Sequence, residues 1–211
     1  MSFLRFSIHW ITMGTQVSLL KKWETNRVMI NCYIEPKVIP DILTEDEIEY
    51  IKKESINKFV PSLVASGFGG IFDDNIRKSE EVMLESNDPI LNSVVRKCVG
   101  LTNKPFENAE RLHVLRYTEG GHYQFHQDVI KTRDNNKRLY TIMISLNDDY
   151  EGGETSFPNL DIKYKLKKGD ALFFHTVDNN EVVTGMALHG GQPVKSGEKW
   201  ICNLWVHKYP Y

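Results

Sequence analysis

Cysteine is scarce in this chain, whose 211 residues include only Cys32, Cys98 and Cys202. Because the number is odd and the spacing is wide, the three cysteines do not form the framework of a disulfide-stabilised secreted domain. They indicate free thiols, which predicts a reducing compartment.

A surplus of charge of one sign is also absent. Lys and Arg total 26 against 28 Asp and Glu, which gives a formal net charge of −2 at pH 7. Proteins that bind the phosphate backbone normally carry a basic face. The composition therefore predicts no nucleic-acid partner.

Long apolar runs are missing as well. The first twenty residues are moderately apolar, but Arg5, His9 and Gln16 interrupt them. A membrane helix needs about 20 apolar residues, and a signal peptide needs a clean apolar core. We expect no membrane span and a cytoplasmic or otherwise soluble intracellular protein, with a secretory location left open. Residues 1–31 are predicted to be an N-terminal extension, disordered in part, and residues 32–211 a single domain.

Two helices are predicted in the first half of that domain. Thr44 is a suitable N-cap and Glu47 completes a capping box. Asp88-Pro89 begins the second helix, and Gly100 ends it. Its apolar face consists of Ile90, Leu91, Val94, Val95 and Cys98.

The hydrophobic period then changes from 3.6 to 2, which is typical of strands. Segments rich in β-branched and aromatic residues lie at 111–117, 140–147, 170–175 and 199–207. Helices followed by strands predict an α+β, mainly β domain.

A metal-binding pattern lies in the middle of the chain. His126 and Asp128 are two residues apart, so an extended strand points both side chains to one side. His189 can come from a distant strand as the third ligand. Two histidines and one carboxylate that leave positions open are typical of non-haem Fe(II) oxygenases. Taken alone, His-x-Asp also fits a solvated strand edge, and His189 fits a hydrogen-bonded core histidine.

The surrounding motifs decide between these interpretations. They are Tyr117, Gly120 and Tyr123 before His126-x-Asp128, then Gly152-Gly-Glu-Thr155 with Pro158, Lys167-Lys-Gly-Asp-Ala-Leu172, and the run from His189 to Trp200. With them the chain resembles the prolyl 4-hydroxylase family of 2-oxoglutarate/Fe(II)-dependent dioxygenases over roughly residues 40–207. The resemblance implies a double-stranded β-helix (jelly-roll) core with flanking N-terminal helices, and a metal centre of His126, Asp128 and His189.

The resemblance also implies the cofactors: Fe(II), 2-oxoglutarate as cosubstrate, dioxygen, and ascorbate as reductant. Lys199 would hold the C5 carboxylate of 2-oxoglutarate, with Tyr117 and Thr155 in the same pocket. Strand alternation turns Lys199 to the same side as Ile201, Asn203 and Trp205. A lysine inside a barrel requires a counter-charge, which the cosubstrate supplies. Without the family motif, Lys199 would be taken for a surface lysine.

Substrate contacts follow from the same resemblance, which implies hydroxylation of a proline-containing peptide at C4 with release of succinate and carbon dioxide. The corresponding residues are Arg77, Ser79, Glu110, Tyr123, Arg138, Trp205 and His207. Arginines and aromatic rings suit an extended polyproline II peptide. No catalytic residue beyond the metal centre is predicted. The Gly-rich segment 64–74 is either a flap over the peptide or an exposed loop.

Several alternatives remain open. Ser145 stands where many relatives carry tyrosine, which admits a non-prolyl or small-molecule substrate. A nucleic-acid demethylase is disfavoured by the charge balance and by Lys199. A non-catalytic barrel would have no reason to retain the four residues His126, Asp128, His189 and Lys199. His9, His113, His122 and His175 have no spacing that predicts a ligand role.

Overall fold

The computed structural model describes residues 32–66, 69–129 and 135–211. The predicted N-terminal extension, residues 1–31, therefore lies outside the described residues. Within them, two α-helices occur, α1 (Glu45–Ser55) and α2 (Pro89–Val99). Neither has the length and apolar character that crossing a bilayer requires.

Both helices begin at the predicted caps. The Thr44 side chain accepts from the Glu47 amide, and the Glu47 carboxylate accepts from the Thr44 amide, as a capping box requires. Asp88 caps α2 by accepting from two amides, with Pro89 at the first helical position. Gly100 is the C-cap but keeps a right-handed conformation. One core assignment was wrong: Ile90 is exposed, because it precedes the buried stripe of α2.

Sixteen short strands make up the sheet structure in the described residues. They are β1 (Lys37–Ile39), β2 (Val60–Pro61), β3 (Val64–Ser66), β4 (Gly69–Ile71), β5 (Arg77–Lys78), β6 (Glu80–Leu84), β7 (Leu112–Tyr117), β8 (His122–His126), β9 (Arg138–Ser145), β10 (Glu151–Gly152), β11 (Thr155–Phe157), β12 (Ile162–Tyr164), β13 (Ala171–His175), β14 (His189–Gly191), β15 (Val194–Ser196) and β16 (Lys199–His207). The four predicted strands are β7, β9, β13 and β16, within two residues at each end.

Two antiparallel sheets form the jelly roll. The larger has the order β1-β13-β9-β16-β7-β6-β2, and the smaller has the order β12-β11-β14-β8-β5. Two two-stranded pairs, β10-β15 and β3-β4, complete the set. The β3-β4 pair lies in segment 64–74, which was predicted to be a flap or an exposed loop, and Phe72 beside it is exposed. The fold class is the predicted mainly β jelly roll with helices N-terminal to its central strands.

Side-chain alternation divides the larger sheet into two faces. On β16, Trp200, Cys202, Leu204 and Val206 belong to the apolar cluster shared with α1 and α2. Ile201 on the same strand belongs to a second cluster, with Phe157 and Phe174. The helices therefore cover the outer face, which leaves the inner face for the cavity between the sheets.

Candidate active site

Ten of the thirteen predicted site residues line one cavity of about 620 Å³ on the inner face. These ten are Arg77, Tyr117, Tyr123, His126, Asp128, Arg138, Thr155, His189, Lys199 and Trp205. Ser79, Glu110 and His207 stand behind the lining. The two sheets therefore bring together residues that are more than 120 positions apart in the chain.

The predicted metal ligands form one cluster. His126 and His189 are cross-strand partners on β8 and β14, and Asp128 follows two residues after His126. One ligand atom from each of the three lies within 4.8 Å of the other two. The Nε2 atom of His126 is 3.5 Å from Oδ1 of Asp128, and that of His189 is 3.7 Å from Oδ2. This spacing fits a single divalent ion held on one side.

Main-chain carbonyls set the tautomer of both histidines. Nδ1 of His126 lies 2.8 Å from the Gln124 oxygen, and Nδ1 of His189 lies 3.0 Å from the Ala187 oxygen. A carbonyl only accepts, so each Nδ1 carries a proton and each Nε2 is the nitrogen that faces the cluster. Phe157 and Phe174 pack against the His189 ring, which holds its orientation.

Burial and charge prepare the same groups for a cation. Burial lowers the pKa of His189 to about 4, against the opposing influence of Asp128. The ring is therefore neutral near pH 7. Burial would raise the pKa of Asp128, but His189 and His126 hold it well below its usual range. A neutral imidazole and an ionised carboxylate are the states that metal ligation requires.

Two further side chains, which the sequence did not reveal in this role, fix the Asp128 carboxylate. Oδ2 accepts from the Thr141 hydroxyl at 2.7 Å and from the Trp205 indole N–H at 3.0 Å. Thr141 and Trp205 are cross-strand partners on β9 and β16. Only the register of the two strands shows that both point at one carboxylate.

Lys199 lies at the other end of the cavity floor, where β16 begins. Its ammonium donates to the Gly153 oxygen at 2.6 Å and lies 5.6 Å from the centre of the Tyr117 ring. Lys199 is 5% exposed and has no ion pair with any residue that the structure describes. Burial lowers its pKa to about 8, although Glu154 acts in the opposite direction. A buried cation of this kind fits the carboxylate of a bound acid.

The other predicted cosubstrate residues, Tyr117 and Thr155, line the same cavity as Lys199. Thr155 is buried, and its hydroxyl lies 3.4 Å from Sδ of Met143. Burial raises the pKa of the Tyr117 phenol, and the charge of Arg77 and a hydrogen bond with Ser79 oppose that rise. The Tyr117 side chain therefore lies between the Lys199 ammonium and the Arg77 guanidinium. Ser145 bonds the Asn147 oxygen at 2.8 Å and lies outside the cavity lining.

Arg77 and Tyr123 form one wall of the cavity. The Arg77 guanidinium lies 4.8 Å from the Tyr123 ring centre, and that ring stacks on His126 at 3.6 Å. Ser79 accepts from Nε of Arg77 at 3.1 Å, and the Leu63 oxygen accepts from Nη1 at the same distance. Ser79 therefore orients Arg77 from behind.

Arg138 and Trp205 form the opposite wall. The guanidinium lies 3.7 Å from the Trp205 ring centre and donates to the two oxygens of Glu110 at 2.5 and 2.9 Å. His207 Nε2 lies 2.6 Å from Glu110 Oε1. Glu110 and His207 are buried behind Arg138. Of these three residues, only Arg138 reaches the cavity.

These features define a class of protein. A jelly roll whose cavity holds two histidines and an ionised aspartate in one cluster, together with a buried lysine that has no ion pair among the described residues, has the groups of an Fe(II)- and 2-oxoglutarate-dependent oxygenase. The model of the 2OG-Fe(II) oxygenase superfamily matches residues 112–207, which include the three ligands and Lys199.

Comparisons with known proteins narrow the class. The chain is 36% identical over 188 residues to a mimivirus protein named "Putative prolyl 4-hydroxylase" (Acanthamoeba polyphaga mimivirus), covering 83% of this chain and 75% of that protein. It is 29% identical to "Probable prolyl 4-hydroxylase 3" of Arabidopsis thaliana, with coverages of 84% and 71%. The crystal structure of a viral collagen prolyl hydroxylase from Paramecium Bursaria Chlorella virus-1, in complex with 2-oxoglutarate, superposes with a TM-score of 0.67. Its identity is 30%, and the coverages are 82% and 96%.

The chain belongs to the prolyl 4-hydroxylase family of 2-oxoglutarate- and Fe(II)-dependent dioxygenases. It is therefore an enzyme that uses Fe(II) and 2-oxoglutarate, as the sequence motifs predicted.

Proposed function

We propose that the protein hydroxylates proline at C4 in an extended peptide, with Fe(II) held by His126, Asp128 and His189. The reaction consumes dioxygen and 2-oxoglutarate and releases succinate and carbon dioxide, and ascorbate serves as the reductant that keeps the iron ferrous. The observation that carries the proposal is the buried ammonium of Lys199, which has no ion pair in the described part of the chain and lies in one cavity with the three-ligand cluster.

Lys199 selects the cosubstrate. Its ammonium is buried and has no carboxylate partner among the described residues. A carboxylate that enters the cavity therefore offsets the free-energy cost of burying this charge. Tyr117 is the cross-strand partner of Lys199, and Thr155 lines the same cavity. Leu115, Met143 and Ile201 provide apolar walls, which exclude water from the space between Lys199 and the histidines.

When bound, iron and 2-oxoglutarate supply an oxidising centre that puts one oxygen atom of dioxygen into a C–H bond and the other into succinate. The chain's own residues position the substrate. Arg77 over Tyr123 and Arg138 over Trp205 present two cation-aromatic walls. Polyproline II peptides offer unpaired carbonyls and flat rings, and these walls offer guanidinium donors and aromatic faces to them.

Glu110, His207 and Ser79 act through the arginines. Glu110 neutralises Arg138 and holds its plane against Trp205, while Ser79 accepts from Arg77. We infer that these three are positioning residues and that Arg77, Tyr123, Arg138 and Trp205 contact the peptide.

The test is succinate release from purified protein supplied with Fe(II), ascorbate and 2-oxoglutarate, with and without poly-L-proline or Pro-Pro-Gly repeats. Mass spectrometry would locate any added oxygen. His126→Ala is the loss-of-ligand variant. His122→Ala is its matched control, because His122 lies on the same strand and contacts the Gly120 and Asn75 oxygens instead of the cluster.

Peptide-dependent turnover that His126→Ala abolishes and His122→Ala retains, with 4-hydroxyproline in the product, would establish the proposal. Turnover that no proline peptide stimulates would keep the oxygenase and reject the prolyl substrate. Without ascorbate, the wild type is expected to lose activity over successive turnovers, and constant activity would reject its role as reductant.

A further inference from the structure

Two buried polar side chains on the cavity floor have no assigned role. His113 on β7 and Asn203 on β16 are cross-strand partners, 3% and 9% exposed, and both line the cavity. Nδ1 of His113 and Oδ1 of Asn203 have no hydrogen-bond partner in the described ranges. Buried polar atoms are normally paired, so this adjacent pair indicates a place where a ligand group completes the bonding.

The protonation of His113 is set from its other side. Its Nε2 lies 3.0 Å from Oε2 of Glu81, which also faces the Arg77 guanidinium at 3.3 Å. A carboxylate accepts, so Nε2 carries the proton. Burial lowers the pKa of His113 against the opposing effect of Glu81, which keeps the ring neutral. Nδ1 is then an acceptor.

Asn203 supplies a second acceptor beside the first. Its amide oxygen and the His113 nitrogen come from residues directly opposite each other, whose side chains share the inner face. Two neighbouring acceptors can be satisfied by an N–H or O–H group of the ligand but not by a carbonyl or carboxylate oxygen. The pair therefore selects a hydrogen-bond donor.

The place of the pair along the floor separates it from the 2-oxoglutarate pocket. Asn203 is four residues from Lys199 on β16, roughly 13 Å along the strand, and the apolar pair Ile201 and Leu115 lies between them. On the other side, the His113 ring lies 5.2 Å from Trp205, within the wall assigned to the peptide.

We propose that His113 and Asn203 form a subsite that accepts a hydrogen bond from a backbone N–H of the peptide residue next to the reacting proline. The proposal rests on the proposed prolyl hydroxylation and gives it a sequence preference. Proline has no backbone N–H, so the residue that occupies this subsite is not proline. The favoured substrate is then a proline with a non-proline neighbour, and continuous polyproline is a poor substrate.

Peptides that differ by one backbone N–H test whether the subsite binds that group. Peptides with one target proline flanked by glycines are compared with the same peptides in which one glycine is replaced by sarcosine, on either side. A third peptide carries sarcosine three residues away. We expect kcat/KM of the wild type to fall at least tenfold for one adjacent position, and to change less than threefold for the distant one.

Variants then assign the effect to the two side chains. Asn203→Leu and His113→Phe are expected to bring the ratio of kcat/KM for the glycine and sarcosine peptides to within about threefold of one. His113→Gln, which keeps an acceptor, should restore part of the discrimination. The ratio is measured within each variant, so it does not depend on the fraction of folded protein. The wild-type peptide series requires no variant.

A wild type that hydroxylates all these peptides equally would overturn the subsite while leaving prolyl hydroxylation intact. Discrimination that both variants retain in full would also overturn it. If no proline peptide is hydroxylated by the wild type, the proposed function itself fails, and the subsite fails with it.

Discussion

Trp205 donates its indole N–H to Oδ2 of Asp128 across 3.0 Å, so a tryptophan of the peptide wall also fixes a ligand of the metal cluster. The Thr141 hydroxyl donates to the same oxygen, and Oδ1 remains directed at His126. The carboxylate is thus oriented before any ion arrives. Partners that orient metal ligands commonly contribute about 10- to 100-fold to metal affinity.

Trp205→Phe keeps the ring and removes this N–H. We expect Mn(II) affinity, measured by calorimetric titration, to fall by about 10- to 100-fold. Trp200→Phe is the matched control, because Trp200 lies on the same strand, faces the helices and donates to Glu198. Its Mn(II) affinity should equal that of the wild type, and an equal loss in both variants would contradict the role of the N–H.

The charge of Lys199 makes cosubstrate affinity depend on pH. The pKa of its ammonium is about 8 in the free protein, so the anion-binding form is lost as pH rises above 8. The dissociation constant of 2-oxoglutarate is expected to rise by up to tenfold per pH unit there. Lys199→Met should show weak binding and no such rise. A wild-type affinity that stays constant from pH 7 to pH 9.5 would refute this.

The same residue destabilises the free fold. Its pKa is about 8 when folded and 10.5 when unfolded, so the unfolded chain binds more protons between these values and stability rises with pH across that window. At pH 7, removing the buried charge in Lys199→Met should increase the free energy of unfolding by roughly 1–3 kcal/mol. Urea denaturation would measure this, and a less stable variant would contradict it.

Gly153 controls the space beside Lys199. Its φ is +67°, and an added Cβ would lie 3.1 Å from the Tyr150 ring and 3.2 Å from Cδ of Lys199. Gly153→Ala should therefore lose about 1–2 kcal/mol of stability through its backbone and also weaken 2-oxoglutarate binding. Gly120→Ala is the control, because φ is +74° there and its Cβ meets only the end of Lys78. It should lose stability and keep its affinity, and equal affinities in the two variants would exclude the displacement of Lys199.

Glu110 stabilises the fold through Arg138 and His207. Burial would raise its pKa, but these two partners hold it below its usual 4.5. Its contribution is therefore present above about pH 4.5 and is lost as pH falls through the folded pKa. Glu110→Gln is expected to cost about 3 kcal/mol at pH 7, measured by urea denaturation, and the difference from wild type should shrink below pH 4.5.

Glu85→Gln provides the comparison for Glu110. Glu85 pairs with Arg111, but the two side chains are 57% and 51% exposed, so its loss should cost less than about 1 kcal/mol. Equal costs for the two variants would show that the Glu110 network adds nothing beyond a surface ion pair.

Features that depend only on neighbouring residues could be predicted from the sequence. The capping box at Thr44, the proline after Asp88 and the two-residue period of β16 depend on neighbours within a few positions. They predicted α1, α2 and the side that Lys199 shares with Ile201, Asn203 and Trp205, and the family motif indicated that this side faces inward. The His126-x-Asp128 spacing is equally local. Motifs shared with a known family supplied His189, Lys199 and the list of peptide residues.

Only the tertiary structure decided how those residues are connected. Thr141 meets Asp128 because the two sheets face each other across the cavity. His113 stands opposite Asn203 and reaches Glu81 through strand register, which a one-residue shift would change and which no local pattern specifies. The pairing of β9 with β16 places Arg138 opposite His207. Both side chains then meet Glu110, which is distant in the sequence, and the three form one network. The sequence by itself determined which groups are present and which way each strand faces. Long-range packing determined which of them touch, and therefore which act on a ligand and which act through a neighbour.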